Sequence, residues 1–298
     1  MRILITGASG LIGSSLAQHL RNASHEIMVL TRSTAGPTEG RYNWNPDSSE
    51  FDIRALRSVE VVINLAGENI GAKRWTPVQK RLIADSRLKG TALLVDAISR
   101  MDNRPRLLVS ASAVGYYGNR GDEPLTELSQ PGDGFLSELC RDWEAEATKA
   151  TKLGVRVVCL RTGMVLSRTG GTLERMLPMF KVGLGGPLGS GNQYWSWVAL
   201  DDVVRAFEFI IEKEQLSGPV NLVAPNPVTN AEFTQALAKA VHRPAIFPVP
   251  APILRLALGE MADSLVLCSQ NVVPEKLLDA GFAFRHPALS DALGSILS

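Results

Sequence analysis

The sequence predicts an α/β protein: a doubly wound parallel sheet with helices on both faces, joined to a smaller C-terminal lobe on the substrate side. Three observations predict it. Short apolar runs alternate with helical stretches through the first half of the chain, the pattern of a parallel sheet covered on both sides. Gly7, Gly10 and Gly13 follow the first apolar run at three-residue spacing. A second apolar run, residues 27–30, arrives at the distance a β-α-β unit requires.

Residues 3–5 read as the first strand, ending in Thr6, and the apolar spacing then becomes helical through Leu16 and Leu20. Between them lies the turn Gly7, Gly10, Leu11, Ile12 and Gly13. One glycine makes the tight turn, one lets the backbone touch a pyrophosphate and one brings helix against strand, with the phosphates at the positive end of the helix dipole. A strand, this turn and a helix together predict a Rossmann-type dinucleotide site. After the second strand come Thr31, Arg32 and Ser33, where an NAD site places an acid for the ribose 2′-hydroxyl. A guanidinium flanked by two hydroxyls suits a 2′-phosphate, so NADP is expected over NAD. The competing reading is that Arg32 is a solvated loop residue.

The remaining elements follow in order: a buried strand at 59–65, a long helix at 77–99, a strand at 106–110, a helix at 135–151 and a strand at 155–160. Right-handed crossovers stack these into one sheet. Beyond Arg161 the texture changes. Residues 182–193 (VGLGGPLGSGNQ) are too glycine-rich for a regular element, and 224–228 (APNPV) form a proline turn. Thr229 and Glu232 make a capping box that starts a helix at 230–241. Pro244, Pro248, Pro250 and Pro252 keep the next connection extended. We therefore expect an NADP-binding domain in 1–164 and a substrate-side lobe mainly in 165–298, with later segments crossing back.

Composition narrows the function classes. The 298 residues are 45% hydrophobic, ample for a large core, and 31 Lys and Arg stand against 30 Asp and Glu without a basic stripe. Nucleic acid and anionic membrane are thus not expected as main partners. Cys140, Cys159 and Cys268 are widely spaced with no CxxC pair, which argues against a disulfide framework and a zinc site. The apolar run near the start breaks at Thr6, and eighteen uninterrupted apolar residues occur nowhere. No targeting segment and no membrane span are read, and a reducing cytoplasm is the expected compartment. The four His residues share no ligand spacing, so no metal is proposed.

Several segments together carry a family resemblance. They are TGASGLIG at 6–13, NLAGENI at 64–70, Ser86-Arg87, SASAVGYYG at 110–118, LCRDWE at 139–144, GLGGPLGSG at 183–191, WVALDDV at 197–203 and PEKLLDAGFAFRHP at 274–287. In these the chain resembles the extended short-chain dehydrogenase/reductase superfamily, and within it the atypical epimerase-family branch, the YfcH-like group or SDR family 39U. The resemblance covers essentially the whole chain. It implies NADP-dependent oxidoreductase or nucleotide-sugar-type epimerase chemistry on a small polar substrate. It further implies cofactor contacts from Thr31, Leu65, Ala66, Gly67 and Arg87, with Met164 near the nicotinamide.

The same comparison exposes a departure. Ordinary members carry a Tyr four positions before a Lys, and the Lys lowers the phenol pKa for proton exchange. Here Leu136 stands at the Tyr position and Cys140 at the Lys position, and anchoring on Glu144 or sliding by one residue restores no pair. The substrate-orienting Ser is kept as Ser112. Tyr116 and Tyr117 follow on a glycine-flanked loop and are candidates to supply a proton, although the preferred reading is that one packs and the other lines the cleft. Glu68 and Asn69 meet a ligand or cap the next segment, two readings of equal standing. Cys140 is expected to be inert core. Trp195 and Trp197, two apart on one strand, cover a ligand or enter the core, with core preferred. Two functions remain: an NADP-dependent enzyme, or a non-catalytic NADP-binding sensor or regulatory module of the kind linked to cell division.

Overall fold

A computed structural model supplies the three-dimensional structure and describes residues 1–32 and 40–298. Ser33, paired with Arg32 in the sequence reading, lies outside the described residues. The chain forms two compact units of interleaved stretches: residues 1–112, 139–160 and 207–220 in the first, 113–138, 161–206 and 221–298 in the second.

The main sheet is built from β1 (Arg2–Thr6), β2 (Glu26–Thr31), β3 (Arg41–Asn45), β4 (Glu50–Phe51), β5 (Val61–Asn64), β6 (Leu107–Ala113), β7 (Arg156–Thr162) and β8 (Gly218–Leu222). Across the sheet the order is β8-β7-β6-β5-β1-β2-β3-β4. β1 pairs in parallel with both β2 and β5, so the direction of winding reverses between β1 and β5. That reversal is the topological switch point where open α/β sheets bind ligands. Leu4, Val62 and Leu108 sit in register across three strands, all wholly buried, while their neighbours Ile3, Ile5 and Ile63 are wholly buried on the opposite face. A sheet buried on both faces needs continuous apolar strands rather than alternation, which is why these runs were readable as short blocks.

The helices are α1 (Leu11–Asn22), α2 (Pro77–Ser99) and α3 (Phe135–Thr148). α2 begins where Thr76 accepts a hydrogen bond from the Gln79 amide at 3.1 Å, with Pro77 at the first helical position. α3 ends three residues before the expected Thr151, because the chain tightens into a 3₁₀ turn, Lys149–Leu153, closed by Gly154 at φ 81. β6 runs three residues past the expected Ser110, since Ser110 and Ser112 are buried with partners of their own and do not end the strand. β3 and β4 were not foreseen. Their sequences are mostly polar, and only Trp44 of β3 is buried.

In the second unit, the helix Asn230–Ala240 carries the predicted capping box: Thr229 Oγ1 accepts from the Glu232 amide at 3.2 Å, and Glu232 Oε2 accepts from the Thr229 amide at 2.7 Å. The extended connection expected through Pro252 stops earlier. Ala251–Leu258 is helical, Pro252 falling in the first turn where its missing N–H is harmless. Trp195 and Trp197 both enter the core, as preferred, but from different strands. Tyr194–Trp195 pairs with Val228–Thr229 and Trp197–Ala199 pairs with Met164–Leu166, while Ser196 between them donates to the Gln270 carbonyl at 2.6 Å. Among the described residues, no helix is long and apolar enough to cross a membrane.

Candidate cofactor and active site

The glycine turn joins β1 to α1 at the switch point. Gly7 has φ 71, and a Cβ there would lie 2.6 Å from the Leu65 carbonyl oxygen. A Cβ on Gly13 would lie 2.2 Å from the Gly7 carbonyl oxygen, so this glycine is what lets the helix close onto the turn. Gly10 differs. It is exposed, caps α1 without a side chain, and its Cβ would meet only the Gly7 oxygen at 3.4 Å. The space beside Gly10 is therefore open, at a helix end whose first amides, on Leu11, Ile12 and Gly13, have no carbonyl in the preceding turn to bond. Open backbone at a positive helix end is an anion cradle.

A chain of buried polar groups holds the facing loop. Thr6 Oγ1 donates to Asn64 Oδ1 at 2.8 Å and accepts from the amides of Leu65 and Ala66 at 3.1 Å each. Asn64 Nδ2 donates to Thr91 Oγ1 at 2.9 Å, which also receives the Trp143 indole N–H at 2.9 Å. The amides of Leu65 and Ala66 are thus tied to Thr6, with the Leu65 carbonyl against Gly7 and Ala66 packed on the core. Exposed Gly67 is backed by the Arg87 guanidinium, 3.1 Å from where its Cβ would be. Arg87 Nη1 donates to the carbonyls of Glu68 and Ile83 at 3.0 Å each, its plane lies 5.1 Å from the Trp143 ring centre, and burial pushes its pKa down. The Glu68 amide donates to Ser86 Oγ on α2 at 2.9 Å, and Asn69 Oδ1 closes its own turn by accepting from the Gly71 amide. Thr31 ends β2 and Arg32 stands exposed just beyond it.

Ser112 is buried near the end of β6 and donates to Glu144 Oε1 on α3 at 2.7 Å. Leu136 and Cys140 lie on the same helix, and Cys140 is 3% exposed, a core position within electrostatic reach of the Arg87 guanidinium. The sequence reading used Glu144 only to align; nothing in the sequence named its partner.

Tyr116, Tyr117 and Met164 belong to the second unit. Tyr117 is wholly buried, donates to Asn221 Oδ1 at 2.6 Å and accepts from Arg161 Nη1 at 3.0 Å. Burial pushes this phenol up to about 12, with Arg161 opposing, so Tyr117 is the one of the pair that packs. Tyr116 is half-buried, edge-on to Tyr117, with the Arg161 guanidinium 3.4 Å above its ring. Glu127 Oε1 accepts from the amides of Asn221 and Lys276, and desolvation raises its carboxyl pKa. Arg161, Glu127 and Asn221 carry no sequence signal of this role: Arg161 and Asn221 are lone polar residues in apolar stretches, and Glu127 is one acid in a polar loop. Met164 begins its short strand and packs partly buried against the core of that unit. Among the described residues, no group of three His, Cys, Asp or Glu side chains gathers to hold a metal.

The model of the NAD dependent epimerase/dehydratase family matches residues 3–223, most of the chain. The chain belongs to that family. A second model, DUF1731, a domain of unknown function, matches residues 249–296. An epimerase family protein of Mycobacterium bovis is 48% identical over 292 residues, covering 98% of this chain and 96% of its own length. Human epimerase family protein SDR39U1 (isoform 2), crystallised with NADPH, superposes with a TM-score of 0.91 at 34% identity, covering 100% of this chain and 99% of the human one. The nucleoside-diphosphate sugar epimerase of Corynebacterium glutamicum superposes at 0.82 with 35% identity, covering all of this chain and 58% of that one. As a member of the epimerase family, the chain has the Rossmann-type fold its glycine turn predicts.

Proposed function

We propose that the protein binds NADP(H) through its first unit and uses it on a small polar, sugar-like substrate, as an oxidoreductase or epimerase. The observation that carries the cofactor is Gly10: an exposed helix cap with open space beside it, between Gly7 and Gly13, whose positions are closed to any side chain. The amides of Leu11, Ile12 and Gly13 hold the pyrophosphate, and exposed Arg32 with Thr31 holds the 2′-phosphate. Leu65 and Ala66, with Gly67 and Arg87 behind them, line the facing loop. NADPH in the crystal structure of the human relative supports the choice. When bound, the nicotinamide supplies two-electron redox chemistry.

Ser112 orients the substrate oxygen. With Leu136 and Cys140 at the relay positions of α3, the chain lacks the usual phenol and ammonium pair, and turnover is slow at neutral pH. Tyr117 already donates its proton to Asn221, leaving Tyr116 as the phenol nearer to solvent. These same features favour the second reading, a non-catalytic NADP-binding module. Calorimetric titration with NADPH, NADP+ and NADH, followed by NADPH oxidation across a panel of carbonyl compounds and nucleotide sugars, separates them. Turnover of any member supports the enzyme; tight NADPH binding without turnover moves the conclusion to the module; no binding rejects both.

A further inference from the structure

We propose that Glu144 is the proton acceptor behind Ser112, so that a hydroxyl–carboxylate pair takes over the proton handling that the missing phenol–ammonium pair would perform. The inference rests on the reading that the first unit holds NADP(H) with Ser112 at the substrate oxygen. It starts from helix geometry. Leu136, Cys140 and Glu144 are spaced by four along α3, so they share one face, and Glu144 stands one turn beyond the position where the ammonium is absent. From there its Oε1 accepts the Ser112 hydroxyl at 2.7 Å. That length is typical of a hydroxyl bonded to a carboxylate.

The direction of this bond matters. A serine hydroxyl has one proton, and here it points at Glu144, leaving both lone pairs of Oγ to receive a proton from elsewhere. In oxidation of a carbinol, the substrate O–H breaks as a new Oγ–H forms, and the old Oγ–H breaks as an O–H forms on Glu144. The substrate O–H loses one proton, which Glu144 gains, and the carbinol C–H breaks with its hydrogen and electron pair leaving together as hydride to the oxidised nicotinamide cofactor. In the reverse direction the proton returns by the same two bonds. Glu144 acts through Ser112, so it is a positioning and proton-holding residue.

Charged groups on its own helix and on α2 have partners of their own. On its own helix Arg141 pairs with Asp142 and Lys149 with Glu146. From α2, Arg87 is turned over Trp143 and bonds backbone carbonyls. Trp143 itself is anchored to Thr91, which fixes the turn of helix that carries Glu144.

The test uses the whole protein and two acid-stable ligands, NADP+ and 2′-phospho-ADP-ribose, which differ by the cationic nicotinamide ring. Affinities are measured by calorimetry at one near-neutral pH, with circular dichroism confirming the fold of each variant. A carboxylate beside the cationic ring favours it over the ring-less fragment. Glu144→Gln should therefore reduce the preference for NADP+ over the fragment roughly threefold while binding the fragment normally. Ser112→Ala should keep the full preference. An unchanged preference in Glu144→Gln overturns the inference and leaves the cofactor reading standing. Failure of both ligands to bind removes the cofactor reading, and the inference with it. Where a turned-over substrate is known, Glu144→Gln should lower kcat at least about tenfold with affinity for the ring-less fragment unchanged, and Glu144→Asp should recover part of it; an unchanged kcat also overturns it.

Discussion

Substituting Gly10 by alanine should separate the cofactor site from the fold that carries it. The native backbone of Gly10, φ −77 and ψ 172, is open to any L-residue. Its Cβ would touch nothing nearer than the Gly7 oxygen at 3.4 Å, the edge of ordinary contact. Alanine also restricts the unfolded chain, a gain of about 0.4 to 1 kcal/mol, so the melting temperature should hold or rise by about 1 to 3 °C. Binding should respond in the opposite sense. A methyl group in the open space keeps the pyrophosphate off the helix amides, and losing two charge-assisted bonds at about 1.5 to 3 kcal/mol each weakens NADPH by roughly 10² to 10⁴-fold. Gly13→Ala is the contrasting control. Its Cβ would collide with backbone, 2.2 Å from the Gly7 oxygen and 2.8 Å from the Ala8 Cα, so it should lose both cofactor and more than about 2 kcal/mol of stability. The assays are calorimetric titration with NADPH and thermal unfolding without it. A Gly10→Ala protein that binds NADPH within about twofold of the original would refute the cradle, and one as unstable as Gly13→Ala would refute the open geometry.

The remaining expectations concern single side chains. Arg32→Ala should erase a preference for NADP over NAD in the same titration, and equal affinities in the unmodified protein would contradict its role. Thr6→Val keeps the shape but orphans the Ala66 amide and Asn64 Oδ1, which should cost about 2 to 4 kcal/mol in urea unfolding; a change under about 0.5 kcal/mol would show the network contributes little. Tyr117 is held neutral by burial, with a folded pKa of about 12 against about 10 unfolded. Its contribution is complete below pH 10 and is lost as the unfolded chain releases the proton between pH 10 and pH 12, about 3 kcal/mol in all. Tyr117→Phe should flatten that alkaline loss, and an unchanged stability profile from pH 9 to pH 11.5 would argue against a buried phenol.

Local sequence determined the parts that depend on local physics. The turn at Gly7 to Gly13 was readable because only glycine tolerates its φ and its close approaches, and those demands recur at fixed spacing whatever surrounds them. The central strands were readable because burial on both faces leaves unbroken apolar blocks, and the Thr229–Glu232 box because a helix start is satisfied within four residues. β3 and β4 were not, since their polar residues take strand form only by pairing with β2 and with each other, after the chain has folded back. Tertiary structure alone decided which polar residues meet. Glu144 reaches Ser112 across 32 residues, Asn64 reaches Thr6 across 58, and Asn221 reaches Tyr117 across 104. A hydrogen bond requires two groups within about 3 Å but sets no limit on their separation along the chain, so no periodicity marks such a pair in advance. Burial then decided what each pair became, turning Tyr117 from an ordinary phenol into one held neutral to about pH 12.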